Sequence, residues 1–225
     1  WGEVQWALTG LYNARNAAMA ATAAGLALAP RDNVTYYVTN NQKLDTPDPR
    51  GLALGALGAF RGVKRRQEIL LRNDRFTVIE DFGHHPAALA ETLQSFRARF
   101  PGHLLTAVFE PRSNTSARRA MQDGFMRALA QADEVYLGPI NRPEKIAASE
   151  RFDPEAVTQQ LELQGVEAHF AATNTALLEK LLENAVASAA AAGAGAKAKP
   201  RVVAFFSNGS FDGIIGKFVT AAKAT

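Results

Sequence analysis

Asp81 closes the apolar run Phe76-Thr-Val-Ile-Glu80 and opens the stretch Asp81-Phe-Gly-His-His-Pro86. A carboxylate at a strand end can accept two hydroxyl hydrogen bonds, as from a ribose, and Phe82 beside it can lie against a base. The competing role is a cap for a helix that starts at Pro86, although Asp81 stands far upstream for that. His84 and His85 are adjacent, so in an extended segment they diverge and make a poor bidentate metal site. One of them is expected to cap or pack at the helix start. Lys64, Arg65 and Arg66 form a dense cationic run after Gly62. Guanidinium forks match phosphate oxygens, whereas the commoner fate of a short basic run is a solvated turn. Asn13 and Asn16 are three apart, on one face of a helix start. Their amides can read the edge of an adenine, or Asn13 can be an N-cap. After Pro111, the residues Arg112, Ser113 and Asn114 make either a carboxylate pocket with Arg112 as the fork or a solvated turn. Ser210 lies in Ser207-Asn-Gly-Ser-Phe-Asp-Gly213, a small-residue turn into a helix. It reads as an N-cap or as a hydroxyl offered to an anion. His103 and His169 sit in strand-like runs and are taken as structural.

These residues need a frame. From Arg75 onward the sequence alternates strand-like and helix-like segments. The strands are expected at 76–80, 104–109, 134–137, 166–170 and 202–206. The helices are expected at 86–100, 116–130, 154–163, 174–190 and 211–222. Five βα units in succession predict an α/β fold with a mainly parallel sheet flanked by helices. Ligands of such sheets bind beyond the carboxyl ends of the strands. The stretches at 81–85, 110–115 and 207–212 all follow strands, so they share that edge.

Upstream the rhythm differs. Residues 11–28 are rich in Ala, Leu and Met, a strong helix composition. Residues 31–50 are polar and Pro-rich around Val34-Thr-Tyr-Tyr-Val38 and read as a connecting excursion. A short helix is expected near 51–60. Residues 189–199, rich in Ala, Gly and Lys, read as a surface excursion. The change of rhythm places a domain boundary between 69 and 70, giving domains 1–69 and 70–225.

Composition narrows the chemistry. The chain has 225 residues, 47% hydrophobic and 21% charged, with a formal net charge of +3 and no cysteine. That balance is ordinary for a globular protein and gives no bulk argument for a nucleic-acid partner. The missing cysteines exclude disulfides, a thiol nucleophile and a cysteine metal site, and fit a reducing compartment. No apolar run reaches membrane-spanning length.

Together these stretches resemble the Mur ligases, from the end of the central ATP-binding domain to the C-terminus. Leu11-Tyr-Asn-Ala-Arg-Asn-Ala-Ala18, with Gly10 before it, resembles the family's Gly-x-His-Asn-x-x-Asn-Ala segment, with Tyr12 in the place of the His. Phe60-Arg-Gly-Val-Lys-Arg-Arg-Gln-Glu68 resembles the run that closes the central P-loop-type domain. Asp81–Pro86 is shared by the branches that use UDP-N-acetylmuramate. Phe109-Glu-Pro-Arg-Ser-Asn-Thr115 is most like the branch that attaches a murein tripeptide. Ser207–Ile215 resembles the C-terminal substrate loop, where that branch usually has Gly at the places of Ser210 and Asp212.

The resemblance implies an ATP-dependent ligase that joins L-Ala-γ-D-Glu-meso-diaminopimelate to UDP-N-acetylmuramate through an acyl phosphate, in peptidoglycan recycling and in the cytoplasm. It implies ATP contacts at Asn13, Asn16, Arg66 and Asp81, with Asn16 at the adenine, Arg66 at phosphate and Asp81 at the ribose. Peptide contacts fall to Arg112, Ser113, Asn114 and Ser210. The phosphate loop Gly-x-x-x-x-Gly-Lys-Ser/Thr does not occur in these residues, nor do the family's metal-binding Glu and His. ATP and Mg²⁺ are therefore expected to be held mostly by an upstream region, with no catalytic residue here. The 225 residues alone are expected to be inactive. The alternatives are a ligase that adds L-alanine and a non-catalytic Rossmann-like binding domain.

Overall fold

The computed structural model describes residues 4, 6, 8, 10–28, 54–187 and 199–224. The β-like run at 34–38 and nearly all of the excursion at 189–199 lie outside the described residues. The chain divides between Gly62 and Val63 into two compact units. This lies upstream of the expected boundary, which falls inside a strand.

In the first unit, Leu11–Leu28 forms helix α1, as its composition predicts, and Gly55–Ala59 forms the short α2. Asn13 donates its amide to the Gly10 carbonyl. It is therefore inside the first turn of α1 and is not its N-cap.

The second unit is a sheet of six strands wrapped by helices. In chain order these are β1 (Glu68–Arg72), β2 (Phe76–Asp81), α3 (Pro86–Arg99), β3 (Leu104–Phe109), α4 (Gln122–Leu129), β4 (Glu134–Leu137), α5 (Pro154–Leu163), β5 (Glu167–Phe170), α6 (Asn174–Leu181), β6 (Arg201–Phe206) and α7 (Ile214–Lys223). The sheet order is β1-β2-β6-β3-β4-β5. All pairs are parallel except β1 with β2. The five expected βα units are present.

Strand β1 was absent from the sequence-based expectation. Ile69-Leu-Leu71 is too short to show a period, and its strand character comes from pairing with β2, with Glu68 opposite Glu80. Two helices also differ from expectation. The segment from Ser116 stays non-helical until a 3₁₀ turn at Arg119–Met121, and α4 starts at Gln122. Ser113 and Ser116 cap one another there, and Arg118 makes an isolated bridge with Arg151. Beyond Leu181 the helix widens into a π turn, Leu182–Ala187.

β6 is central and buried along its whole length. Its side chains alternate, as a two-residue period requires. Val202, Ala204 and Phe206 join Leu93, Phe125, Leu129 and Leu161 of α3, α4 and α5 on one face. Val203 and Phe205 join Leu177, Leu181, Ile214 and Phe218 of α6 and α7 on the other. Fully burying each such large apolar side chain contributes roughly 1.5–3 kcal/mol. Three helices start on defined caps: His85 accepts from Ala87 N at 3.3 Å, Asp153 from Ala156 N at 3.0 Å, and Thr173 from Ala176 N at 3.1 Å. Pro86 and Pro154 follow two of these caps at the first helical turn, where their missing N–H costs nothing.

Candidate functional site

The register of the sheet brings the expected stretches together. Phe206 is opposite Asp81 on β2 and opposite Phe109 on β3, so these three strands end at one level. The loops that leave them are bonded to each other. Ser207 N donates to the Asp81 carbonyl at 3.2 Å, and Glu110 N donates to the Phe206 carbonyl at 3.1 Å.

Asp81 is buried, and its carboxylate is already in use. One oxygen accepts from Gln67 N at 2.9 Å and the other from Gly83 N at 2.7 Å. A side chain at Gly83 would meet this carboxylate: a Cβ would lie 2.7 Å from Asp81 Oδ1. Asp81 does not cap α3, since His85 does. Burial pushes the Asp81 carboxyl above its ordinary value of 3.8, against the pull of the Gly83 and Gln67 amides and the Arg66 charge. Each carboxylate oxygen keeps a further acceptor position.

The cationic run splits in three. Lys64 and Arg66 are exposed, whereas Arg65 turns inward on a left-handed backbone, φ +59°. Arg65 Nε donates to Glu80 Oε1 at 2.6 Å. Its Nη2 donates to the carbonyls of Ser207, at 2.8 Å, and Gly209. The Arg66 guanidinium makes no hydrogen bond among the described residues and lies 5.2 Å from the centre of the Phe82 ring. The solvated-turn reading therefore fails for Arg65. Phe82 meets arginines and, edge-on, His84 at 5.4 Å. His84 Nδ1 is 3.1 Å from the Phe82 carbonyl, which makes that histidine structural too.

On the β3 side, Glu110 is 3% exposed and is the centre of a network. It accepts from Ser207 Oγ, from Arg112 Nη1 at 3.2 Å and from Asn174 Nδ2 at 3.2 Å. Asn174 Nδ2 also donates to Asp212 at 2.8 Å. Arg112 lies along Gly209 so closely that a Cβ there would fall 2.1 Å from its Cδ and Nε. Its side chain is 30% exposed, which leaves N–H groups beyond the Glu110 contact facing solvent. Ser113 Oγ donates to Ser116 Oγ at 2.8 Å and accepts from Ser116 N, so it closes its own turn. Asn114 is exposed. Ser210 is exposed too, and its side chain makes no capping hydrogen bond, which removes the N-cap reading. Asn13 and Asn16 belong to the first unit, in the first two turns of α1.

Buried polar atoms without a partner among the described residues also fall at this edge. They are both amide atoms of Gln67, Oδ1 of Asn174 and Oδ1 of Asn208. Gln67 abuts the β2 end through its bond to Asp81, Asn174 follows β5, and Asn208 follows β6. Folded proteins rarely leave such groups unmet, and a cluster of them marks a place kept for something other than stability. Glu110, Gln67 and Asn174 were missed from sequence, and Arg65 was read there only as part of the cationic run, as a phosphate contact or a solvated turn. For Glu110 the available signal was a charged residue directly after a buried strand.

Residues 65–198 match the Mur ligase, glutamate ligase domain. The chain belongs to the Mur ligase family. It is 36% identical over 149 residues to the UDP-N-acetylmuramate–L-alanyl-γ-D-glutamyl-meso-2,6-diaminoheptandioate ligase of Escherichia coli, covering 65% of this chain and 28% of that one. It is 32% identical over 196 residues to the UDP-N-acetylmuramate–L-alanine ligase of Variovorax paradoxus, covering 81% and 36%. The crystal structure of the UDP-N-acetylmuramate–alanine ligase from Thermotoga maritima shares the fold, with a TM-score of 0.62 at 22% identity, over 100% of this chain and 40% of that one. The chain thus spans well under half the length of each. Arg66, Asp81, Arg112, Ser113 and Asn114 lie inside the matched domain, whereas Asn13, Asn16 and Ser210 lie outside it. No described helix is long and apolar enough to cross a membrane.

Proposed function

We propose that these residues work within a longer, cytoplasmic ATP-dependent ligase that joins the tripeptide L-Ala-γ-D-Glu-meso-diaminopimelate to UDP-N-acetylmuramate. In that reaction the terminal phosphoryl group of ATP passes to the muramyl carboxylate. The free amine of the peptide then attacks the acyl phosphate, an amide forms, and phosphate leaves. Work of this kind is mostly positioning and charge neutralisation.

The observation that carries the reading is the pairing of two cationic sites at one sheet edge. Arg66, whose guanidinium makes no hydrogen bond among the described residues, lies over Phe82 and within electrostatic reach of Asp81, and suits a nucleotide phosphate and ribose. Arg112, anchored by Glu110 and open to solvent on its other side, suits a carboxylate of the incoming peptide. Asn114 and Ser210 offer exposed polar groups to the same peptide, with Ser113 shaping the turn. Asn13 and Asn16 are assigned to the nucleotide base. For Mg²⁺ the fit is poor, since no group of three or more His, Asp or Glu among the described residues is arranged to hold a metal ion. Without a phosphate loop in the sequence, the 225 residues alone should not transfer the phosphoryl group.

The similarity to alanine ligases favours one rival, addition of L-alanine. Ligation assays on the ligase that carries these residues, with UDP-N-acetylmuramate and ATP, separate the two. The proposal expects the higher kcat/KM with the tripeptide. A preference for L-alanine would establish the rival, and no turnover of either would leave a binding module.

A further inference from the structure

Arg65 sits next to the residue assigned to phosphate and, like it, lies over the Phe82 ring, at 5.0 Å from the ring centre, yet its side-chain hydrogen bonds lead elsewhere. Its guanidinium faces Glu80 on β2 with one edge, while Nη2 holds the carbonyls of Ser207 and Gly209 in the loop after β6. The backbone around it is tied down as well. Arg65 N donates to Glu68 Oε2 at 2.8 Å, and the Arg65 carbonyl accepts from Phe82 N at 2.6 Å. Left-handed backbone at both Arg65 and Gln67, φ +59° and +52°, persists only because such contacts over-determine it.

The loop that Arg65 holds is the bed on which Arg112 lies. Gly209 touches Arg112 along its Cδ, Nε and Cζ atoms, closely enough that no side chain fits between them. The other side of that loop is fixed by Ser207 Oγ, which donates to Glu110 and accepts from Gly209 N at 2.9 Å. Arg65, Gly209 and Arg112 therefore form a short mechanical chain from the cationic run after Gly62 to the proposed acceptor pocket.

We propose that Arg65 is a positioning residue for the acceptor peptide, acting through Gly209 to set the Arg112 guanidinium, and not a phosphate ligand like its neighbour. This rests on the reading of Arg112 as the acceptor's carboxylate partner. Lysine cannot replace it, because a single ammonium cannot reach Glu80 and both carbonyls with the geometry of a planar fork. Gly209 is the second element of the same device. Its φ is not in the left-handed region, so alanine there is tolerated by the backbone, but its methyl group must push Arg112 aside.

The test is steady-state kinetics on the ligase that carries these residues, with Arg65→Lys, Gly209→Ala, Arg112→Ala and the double variant Arg65→Lys/Arg112→Ala. Arg65→Lys and Gly209→Ala are each expected to raise the tripeptide KM by about tenfold or more, the effect of losing one hydrogen bond to a charged group, with the ATP KM nearly unchanged. In the Arg112→Ala background, Arg65→Lys should add little further rise, because the group it positions is gone. An Arg65→Lys enzyme with a raised ATP KM and an unchanged tripeptide KM would make Arg65 a nucleotide-side residue and overturn the inference. Additive effects in the double variant would overturn it too. If Arg112→Ala itself leaves the tripeptide KM unchanged, the acceptor reading falls instead, and the inference with it. Should Arg65→Lys fail to fold, Gly209→Ala decides alone: a wild-type tripeptide KM there refutes the chain of contacts.

Discussion

The two ends of one sheet treat buried charge in opposite ways. At the amino end, Arg201 on β6 donates to Glu134 on β4 and to Thr106 on β3, at 2.9 Å for the latter, and Thr106 Oγ1 donates to Glu134 at 3.2 Å. Nearby Asp133 accepts from Arg97 and from Leu105 N, both at 2.7 Å. None of these side chains keeps a buried polar atom without a partner among the described residues. At the carboxyl end, Glu110 and Asp81 are also satisfied, but among the described residues Gln67, Asn174 and Asn208 keep buried polar atoms unmet, and Arg66 and Arg112 keep donors open. Similar residue types thus serve closure at one end and reception at the other. Charge alone does not mark a site; unmet hydrogen-bonding capacity beside organised charge does.

The contrast predicts separable effects, and the largest is at the closed end. Glu134→Ala leaves Arg201 buried without its counter-charge, both side chains being 9% exposed. It should lower stability by about 3–5 kcal/mol in chemical denaturation, with the substrate KM values of the folded enzyme unchanged. A clear rise in either KM would show that the amino end also shapes the site.

At the open end the cost should fall on binding. Arg112→Lys keeps the charge but loses the fork, and should weaken use of the tripeptide by roughly 1.5–3 kcal/mol in kcat/KM, with little change in melting temperature. Arg66→Lys should do the same to ATP. Equal losses for both substrates in both variants would merge the two pockets that the account keeps apart.

A smaller effect compares two aspartates. Burial raises the Asp81 carboxyl above 3.8 more than its amide bonds and Arg66 lower it. Burial acts on Asp133 too, but the Arg97 hydrogen bond, the Leu105 amide and the charges of Arg97 and Lys199 outweigh it and hold that group below 3.8. The signs follow from linkage. Asp81 contributes stability that is full below its unfolded pKa and is lost as pH rises through its raised folded value. Asp133 contributes stability that is present above its unfolded pKa and is lost as pH falls through its lowered folded value. Carboxyl-carbon NMR titration should find Asp81 titrating above Asp133. The reverse order would remove the distinction between the two ends.

Much of this was legible in the sequence because it is local. The alternation from Arg75 onward fixes the five βα units, and with them the shared edge of the loops after β2, β3 and β6. Pro86 and Pro154 mark helix starts correctly. What escaped depends on distant partners. Strand β1 has too short an apolar run to announce itself and is made by β2. Arg65 looks like Arg66 until Ser207, 142 positions away, accepts its hydrogen bond. Glu110 becomes a hub only through Asn174 and Ser207, 64 and 97 positions away. Arg112 and Asp81 could be singled out from their places at strand ends, but the anchors that orient them could not.

Hydrogen–deuterium exchange on the ligase that carries these residues tests most directly whether the carboxyl end of this sheet receives the substrates. With ATP bound, amides at 64–67 and 81–84 should slow their exchange. With the tripeptide added, those at 110–116 and 207–213 should follow, while 104–106, 133–135 and 201–203 stay as they were. Protection confined to the amino end, or absent from both sets of loops at saturating substrates, would contradict the account.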